Sequence, residues 1–228
     1  MEFSKNMRPA IVVLCGILVL SACATGQVSM TDAQRAEIRA AKSVNVVYHQ
    51  LYGPVVQTAK DAVTFHFTMG LAGWDSIGGK IMKENRIEDP MLTMRNRLMD
   101  RLKTQGGMRN LAASGPIPMD FADIEKLRQH YGKGLYLQLI PGNWTIIYYA
   151  SNWSKYRMIF GATARLVRAD DGKILWSALC GLNRDEGDKA PTLEQLQANH
   201  AALLKTWTRE AAWTCADTLA EAFFANPK

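Results

Sequence analysis

The sequence predicts an α+β fold: a mostly antiparallel sheet of about five strands, with helices packed on one face and a long C-terminal helix. Two features of the 228 residues lead to this prediction. Segments with apolar residues at three- and four-residue steps, typical of helices, flank a region in which apolar residues alternate as in strands. Runs of helices and runs of strands in one chain indicate an α+β architecture.

Four segments carry helix signals, at 31–42, 89–106, 120–132 and from 192 to near the C-terminus. The first and the last begin with the Thr-x-x-Gln pattern of a capping box, at Thr31 and Thr192. The second begins at Asp89, a good N-cap, and continues with a proline, which suits the first position of a helix.

Strands are predicted over 43–50, 134–140, 144–150, 156–167 and 173–180, with turns at 141–143, 151–155 and 170–172. The last hairpin allows a test of register. A three-residue loop, Asp170 to Gly172, pairs Leu166 with Trp176 and Ala162 with Cys180, and only this loop length places both apolar sets on one face. The glycine-rich segment 70–79 leaves two interpretations open, a mobile flap or small residues that permit close packing.

Two cysteines of the predicted fold lie on surfaces that face each other. Cys180 ends a strand on its core face, and Cys215 lies on the apolar stripe of the covering helix. In an oxidising compartment such a pair predicts a disulfide, which would stabilise the fold by roughly 3–4 kcal/mol in the chain-entropy model. Two buried free thiols are the alternative.

The N-terminus predicts export. Basic residues precede an apolar run from Ile11 to Leu20, which is too short to span a bilayer. The run ends in Leu20-Ser21-Ala22-Cys23, which resembles the lipobox of bacterial lipoproteins. The resemblance implies cleavage before Cys23, lipidation of this cysteine by diacylglycerol and acylation, and, with Ala24 next, the periplasmic face of the outer membrane. An ordinary secretory leader is the alternative.

The predicted domain organisation follows from this leader: a signal peptide over 1–22, a lipidated cysteine and tether over 23–30, and one periplasmic domain over 31–228. The mature chain of 206 residues has 25 basic and 20 acidic side chains, a formal charge of +5. These charges are dispersed and match no nucleic-acid-binding module, so we expect no nucleic-acid partner.

The sequence contains no pattern of catalytic or metal-binding residues. The four histidines, His49, His66, His130 and His200, form no HExxH motif and have no cysteine at zinc spacing. A nucleophile elbow and a C-x-x-C motif are also missing. We therefore predict a non-enzymatic protein with no catalytic residue, metal or cofactor, and keep an unrecognised hydrolase as the third hypothesis.

Two surfaces are candidates for binding. The first is an aromatic surface on the predicted strands, with Trp144, Tyr149 and Trp153, for which core packing is the alternative explanation. The second is the basic face of the helix after Asp89, which is either a solvated face or a site for an anionic partner. Its residues are Arg95, Arg97, Arg101 and Lys103.

The segment ARLVRADDGKILWSALC resembles the strand–turn–strand of a group of periplasmic outer-membrane lipoproteins. The group includes the penicillin-binding-protein activator and the curli secretion lipoprotein. The matching residues are Arg165, Leu166, Val167, Asp171, Gly172 and Trp176. The resemblance implies a non-enzymatic protein that docks on an envelope machine or assembles into one. We thus expect a membrane-anchored component with an envelope protein partner, and alternatively a binding module for cell-wall glycan (peptidoglycan) or a small ligand.

Overall fold

The computed structural model describes residues 28–58 and 76–225. These residues form an α+β fold with five helices and an open six-stranded sheet. The helices are α1 Asp32–Ala40, α2 Ile77–Asn85, α3 Pro90–Gly106, α4 Ile124–Tyr131 and α5 Leu193–Phe224. The strands are β1 Val44–Tyr48, β2 Val55–Gln57, β3 Leu111–Ala113, β4 Leu135–Tyr149, β5 Asn152–Arg168 and β6 Lys173–Arg184. The predicted leader, Cys23 and His66 lie outside the described residues.

The sheet has the strand order β3-β1-β4-β5-β6, and β2 pairs with the distal half of β4. The long strands β4, β5 and β6 pair antiparallel, so most paired residues are antiparallel, as the sequence predicts. The short strands β1, β2 and β3 pair in parallel, which the sequence does not predict. Val28 adds one antiparallel bridge at the outer edge of β6, opposite Ser177.

The predicted register of the last hairpin is confirmed. Leu166 pairs with Trp176 and Ala162 with Cys180, and Gly172 has the left-handed φ of +70°. The loop itself is one residue longer than predicted, because Arg168 pairs with Lys173. A register shift after Leu166 absorbs this extra residue and restores the predicted pairing.

Three predicted boundaries are wrong. The turn between β4 and β5 lies at 150–151 and not at 151–155, because β5 begins at Asn152. The segment 141–143 does not reverse the chain but is an irregularity inside β4, between Pro141 and Trp144. Proline has no N–H to donate to the sheet, and strands accommodate it at such bulges. The predicted helix over 120–132 divides into a 3-10 turn, Met119–Ala122, and α4, because Asp123 caps a new helix by accepting from the Glu125 N–H at 2.8 Å.

Helices do not lie on one face of the sheet alone. The main core lies between one sheet face and the helices α1, α3 and α5, with Phe160 and Leu166 fully buried. On the other face, the 3-10 turn and α4 cover a small cluster formed by Val47, Ile117, Leu127, Tyr136 and Ala169. The separation follows from strand alternation, since Val46 belongs to the main core and its neighbour Val47 to the small cluster.

The long helix α5 crosses the core face of β5 and β6, as the sequence predicts. Cys180 of β6 and Cys215 of α5 form a disulfide in the structure, with Cα atoms 5.3 Å apart. The helix is interrupted near its start by a left-handed turn at Asn199, His200 and Ala201, with φ between 52° and 55°.

Part of the glycine-rich segment 70–79 belongs to α2, and residues 70–75 lie outside the described residues. At Gly78 the structure shows close packing, because a Cβ there would lie 1.8 Å from the Pro54 carbonyl oxygen. The close-packing interpretation therefore applies to this glycine.

Candidate interaction surfaces

The predicted aromatic surface is only partly present. Trp144 is 3% exposed and packs into the main core, so its assignment to a binding surface is wrong. Its position explains this, because Trp144 pairs with Phe160 and points to the helix-covered face of the sheet. Trp153 is 58% exposed at the start of β5, and Tyr149 is half-buried at the end of β4.

Trp153 is held in a defined orientation although it is exposed. Its indole Nε1–H donates to the Ala150 carbonyl oxygen at 3.2 Å, across the turn of the hairpin. The Tyr148 ring meets the indole in a T-shaped arrangement, with ring centroids 6.2 Å apart. Both contacts restrict the side chain before any ligand binds, which lowers the entropic cost of using it as a binding platform.

Tyr149 connects the end of the hairpin to the loop after β6. Its hydroxyl donates to Asp185 Oδ1 at 2.7 Å and accepts from the Glu186 N–H at 3.2 Å. Burial, and then the Asp185 hydrogen bond, raise the pKa of Tyr149, and the same hydrogen bond lowers the pKa of Asp185. The Arg157 guanidinium lies over the Tyr149 ring, 5.5 Å from its centroid. Tyr149 therefore has a structural role beside Trp153.

The second sheet face continues beyond the 3-10 turn as a surface of partly exposed, mainly apolar side chains, of which Leu179 is the most exposed. We call it the open face, formed by Ile140, Ile147, Ile159, Thr163 and Leu179. Leu179 is 57% exposed and lies in one row with Thr163 and Ile140. None of the described helices contributes to a buried apolar cluster on this surface.

The outer edge of β6 borders the open face. Ser177 exchanges two backbone hydrogen bonds with Val28, at 3.0 and 3.1 Å, so its N–H and C=O point away from β5. Strand alternation directs the same groups of Leu179 and Gly181 outward. No backbone partner for them is found among the described residues. Leu179 therefore lies on a strand edge that has no backbone partner within residues 28–58 and 76–225, and on a partly exposed, mainly apolar face.

The basic face of α3 is largely used within the protein. Arg97 and Arg101 both contact the Asp217 carboxylate of α5, at 3.0 and 3.1 Å. Arg95 donates to the Ser114 carbonyl oxygen at 3.1 Å and lies 5.0 Å from the Tyr48 ring centroid. These contacts favour a structural explanation of the arginines over a site for an anionic partner.

A buried polar group on the second sheet face was not predicted as a unit. His49, at the end of β1, contacts the Pro118 carbonyl oxygen through Nδ1 at 2.8 Å. Gln138 of β4 donates to the Phe121 carbonyl oxygen at 2.9 Å, and Arg165 of β5 donates to Gln138 Oε1 at 2.7 Å. The only sequence signals are Gln138 within the apolar strand LYLQLI, Arg165 within GATARLV and a histidine after β1.

Within residues 28–58 and 76–225, no group of three or more His, Cys, Asp or Glu side chains is arranged to hold a metal ion. No helix in this part of the chain is long and apolar enough to cross a membrane.

Neither a protein-family model nor a curated protein sequence matches the chain. Several solved structures resemble it. A PelC dodecamer from Paraburkholderia phytofirmans is 11% identical, with a TM-score of 0.39, over 88% of this chain and 96% of that one. Lipoprotein GNA1162 from Neisseria meningitidis is 17% identical, with a TM-score of 0.26, over 72% and 97% of the two chains.

A third similar structure is protein XCC0632 from Xanthomonas campestris, of the DUF330 family. It is 12% identical, with a TM-score of 0.36, over 86% of this chain and 90% of that one. The neighbours thus include a bacterial lipoprotein and a DUF330 protein. At TM-scores below 0.5 these likenesses carry no functional assignment.

Proposed function

We propose that this protein is a lipid-anchored lipoprotein on the periplasmic face of the outer membrane that acts without catalysis, by binding a protein partner in envelope assembly or transport. The observation that carries the binding role is Leu179, which is 57% exposed where the open face meets a β6 edge without a backbone partner in the described part of the chain. Exposed strand edges of this kind pair with other chains unless they are covered or charged. Between Ile174 and Asn183 the strand contains neither proline nor a charged residue.

The lipid anchor is supported by the resemblance of Leu20-Ser21-Ala22-Cys23 to a lipobox. Cys23 lies five positions before Val28, which pairs with Ser177 at the β6 edge. Because an extended residue spans at most about 3.6 Å, a lipid on Cys23 would keep this edge within about 18 Å of the membrane surface. A partner that binds at Leu179 would therefore be held close to the membrane.

The anchor is tested by intact mass and membrane fractionation of the native protein beside Cys23→Ser. Loss of residues 1–22, a lipid-sized mass increase and outer-membrane fractionation that the variant loses are the expected results. An unlipidated protein in the soluble periplasm would contradict the anchor.

The binding role is tested separately by replacing Leu179 with a photocrosslinking amino acid in cells. Leu203, which is 38% exposed on α5, is the matched control position. A defined crosslinked species from position 179 that position 203 does not give is expected. In a second experiment the crosslinking amino acid is placed at Asn183, and Leu179→Asp is introduced into the same chain. Disappearance of the crosslinked species in this variant would show that the edge itself is recognised. Equal crosslinking from 179 and 203 would contradict the proposal.

A second candidate is binding of cell-wall glycan, which the fixed, exposed Trp153 indole favours. The side chains beside it, Asn152 and Ser154, are polar and exposed, which suits a hydroxyl-rich ligand better than an apolar protein surface. Co-sedimentation with purified peptidoglycan should be lost in Trp153→Ala and in the Trp153→Ala/Tyr149→Ala double variant. Trp213→Ala, at a 45% exposed tryptophan on α5, should leave it unchanged. Equal sedimentation of all variants would exclude this candidate.

A further inference from the structure

Three side chains from three neighbouring strands bind the backbone of a single segment. His49, Gln138 and Arg165, which we call the latch residues, contact the carbonyl oxygens of Pro118, Phe121 and Ala122. This segment leads into α4, and together they form the layer of residues 117–131 on the second sheet face. The latch residues therefore attach a whole layer to the sheet.

The apolar contribution to this attachment is small. The main core contains more than forty buried residues, whereas the cluster beneath the layer contains five. These five are Val47, Ile117, Leu127, Tyr136 and Ala169. A layer with few buried apolar contacts opens locally at a lower free energy than the rest of the fold. The polar contacts of the latch residues consequently have a large share in keeping the layer closed.

The surroundings of His49 favour its neutral form. The side chain has 0% exposure, and its Nε2 atom is buried with no hydrogen-bond partner among the described residues. The neutral tautomer with the proton on Nδ1 donates to Pro118 and leaves only a lone pair on Nε2. A proton on Nε2 would create a buried N–H without an acceptor, and a buried cation.

The charged groups around His49 are few. Arg165 faces it from β5 and Asp120 from the 3-10 turn, and Asp123 acts on Arg165 from the start of α4. Burial lowers the pKa of His49 most, and Arg165 lowers it further, against opposing contributions from the Pro118 hydrogen bond and Asp120. The environment as a whole therefore disfavours the imidazolium ion.

We propose that His49 is a pH-sensitive latch, which releases the layer of residues 117–131 from the sheet when its imidazole is protonated in mildly acidic surroundings. Release would uncover Val47, Tyr136 and Gln138 and extend the open face across the second side of the sheet. The main core, on the opposite face and closed by the Cys180–Cys215 disulfide, would stay folded.

The coupling between protonation of His49 and opening of the layer determines how much the opening constant changes with pH. If the closed layer excludes the proton and the opened layer has an ordinary histidine pKa of about 6.5, the opening constant increases about tenfold between pH 7.5 and pH 5.5. Hydrogen exchange followed by mass spectrometry, corrected for the intrinsic exchange rate at each pH, measures this constant for peptides within 117–131. Peptides from β5 and β6 report on the main core.

The expected result is a tenfold loss of protection in 117–131 at pH 5.5, with β5 and β6 unchanged. His49→Asn keeps an amide donor near the Nδ1 position and does not titrate, so this variant should show no pH response. His130→Asn, at an exposed histidine of α4, should respond like the wild type. A pH-independent wild type, or a His49→Asn variant that still responds, would overturn the proposal.

A measurement on the wild type covers the case in which His49→Asn does not fold. The imidazole of His49 can be titrated by NMR in the intact protein. We expect it to stay neutral for as long as the layer is protected. A His49 imidazole that becomes charged with an ordinary midpoint while 117–131 keeps its protection would refute the latch.

Discussion

The Asp89 carboxylate accepts a hydrogen bond from the Leu51 backbone N–H at 3.3 Å through Oδ2, which connects the segment after β1 to the start of α3. Its Oδ1 atom accepts from the Met91 N–H at 2.9 Å, the capping bond that the sequence predicts. Burial raises the pKa of Asp89 to about 6, although both backbone hydrogen bonds act in the opposite direction. Asp89 is therefore a helix cap that is destabilised by its own charge.

We predict that Asp89→Asn gains stability relative to the wild type as the pH rises from 4 to 7.5. Because the pKa of Asp89 in the folded state lies above the ordinary 3.8, its protonated carboxyl group stabilises the folded state at low pH. This stabilisation is lost as the pH rises through about 6. The difference between the two pKa values corresponds to about 3 kcal/mol. Asparagine keeps the capping oxygen and does not ionise.

Urea unfolding of both proteins at pH 4 and pH 7.5 measures this change in the difference between their free energies of unfolding. Asp100→Asn, at an exposed position of the same helix, is the control and should differ from the wild type by a similar amount at both pH values. A constant difference for Asp89→Asn would show that the carboxyl group is not destabilised when charged.

The Cys180–Cys215 disulfide links β6 to α5 across 35 residues. In the chain-entropy model, closing a loop of this length stabilises the folded state by roughly 3–4 kcal/mol. We predict that the double variant Cys180→Ala/Cys215→Ala, or reduction of the wild type, lowers the free energy of unfolding by about 3 kcal/mol. Chemical denaturation with and without reductant measures it. Two reactive thiols at Cys180 and Cys215 in denatured, unreduced protein would exclude the disulfide.

Local patterns predicted the long elements of this fold well. The alternation in 156–180 determined the register of β5 and β6, and two capping boxes located the starts of α1 and α5. These signals depend on residues close in sequence. The strands β2 and β3 contain three residues each, which is too short to show an alternation of apolar and polar residues. Their parallel pairing depends on contacts between distant segments. The sequence therefore did not reveal these two strands.

The candidate surfaces were also predicted only in part, because local sequence patterns do not show which residues the fold brings together. Trp153 was predicted as part of an aromatic surface and is exposed, but Trp144 of the same predicted surface proved to be buried. Alternation alone does not tell which face of a strand is covered. The latch residues were not predicted as a group, because the register of β4 and β5 places Gln138 opposite Arg165, and only the fold brings His49 to the same segment.

Gly78 allows α2 to approach the chain at Pro54. A Cβ on residue 78 would lie 1.8 Å from the Pro54 carbonyl oxygen, which is backbone and cannot move aside easily. We predict that Gly78→Ala lowers the free energy of unfolding by about 1–3 kcal/mol, despite the better helix propensity of alanine. Gly181→Ala is the control, because, apart from its chain neighbours, none of residues 28–58 and 76–225 has an atom within 4 Å of the added Cβ there. Equal stabilities of the two variants in urea unfolding would contradict this packing.

The left-handed turn near the start of α5 stores backbone strain. Asn199, His200 and Ala201 all have φ near +55°, which costs an L-residue roughly 1–2 kcal/mol. Glycine adopts this conformation without steric cost but loses more entropy on folding. We therefore predict that His200→Gly, at an exposed position, raises the free energy of unfolding by about 0.5–1 kcal/mol.

The matched control for His200→Gly is Ala36→Gly, at an exposed position in the middle of the regular helix α1. There glycine should lower the free energy of unfolding by about 1 kcal/mol, because it has no strain to relieve. Thermal or urea unfolding of the two variants should consequently give shifts of opposite sign. Destabilisation by both glycines would mean that α5 continues as a right-handed helix through residue 200 in solution, since glycine is unfavourable only where the backbone is regular.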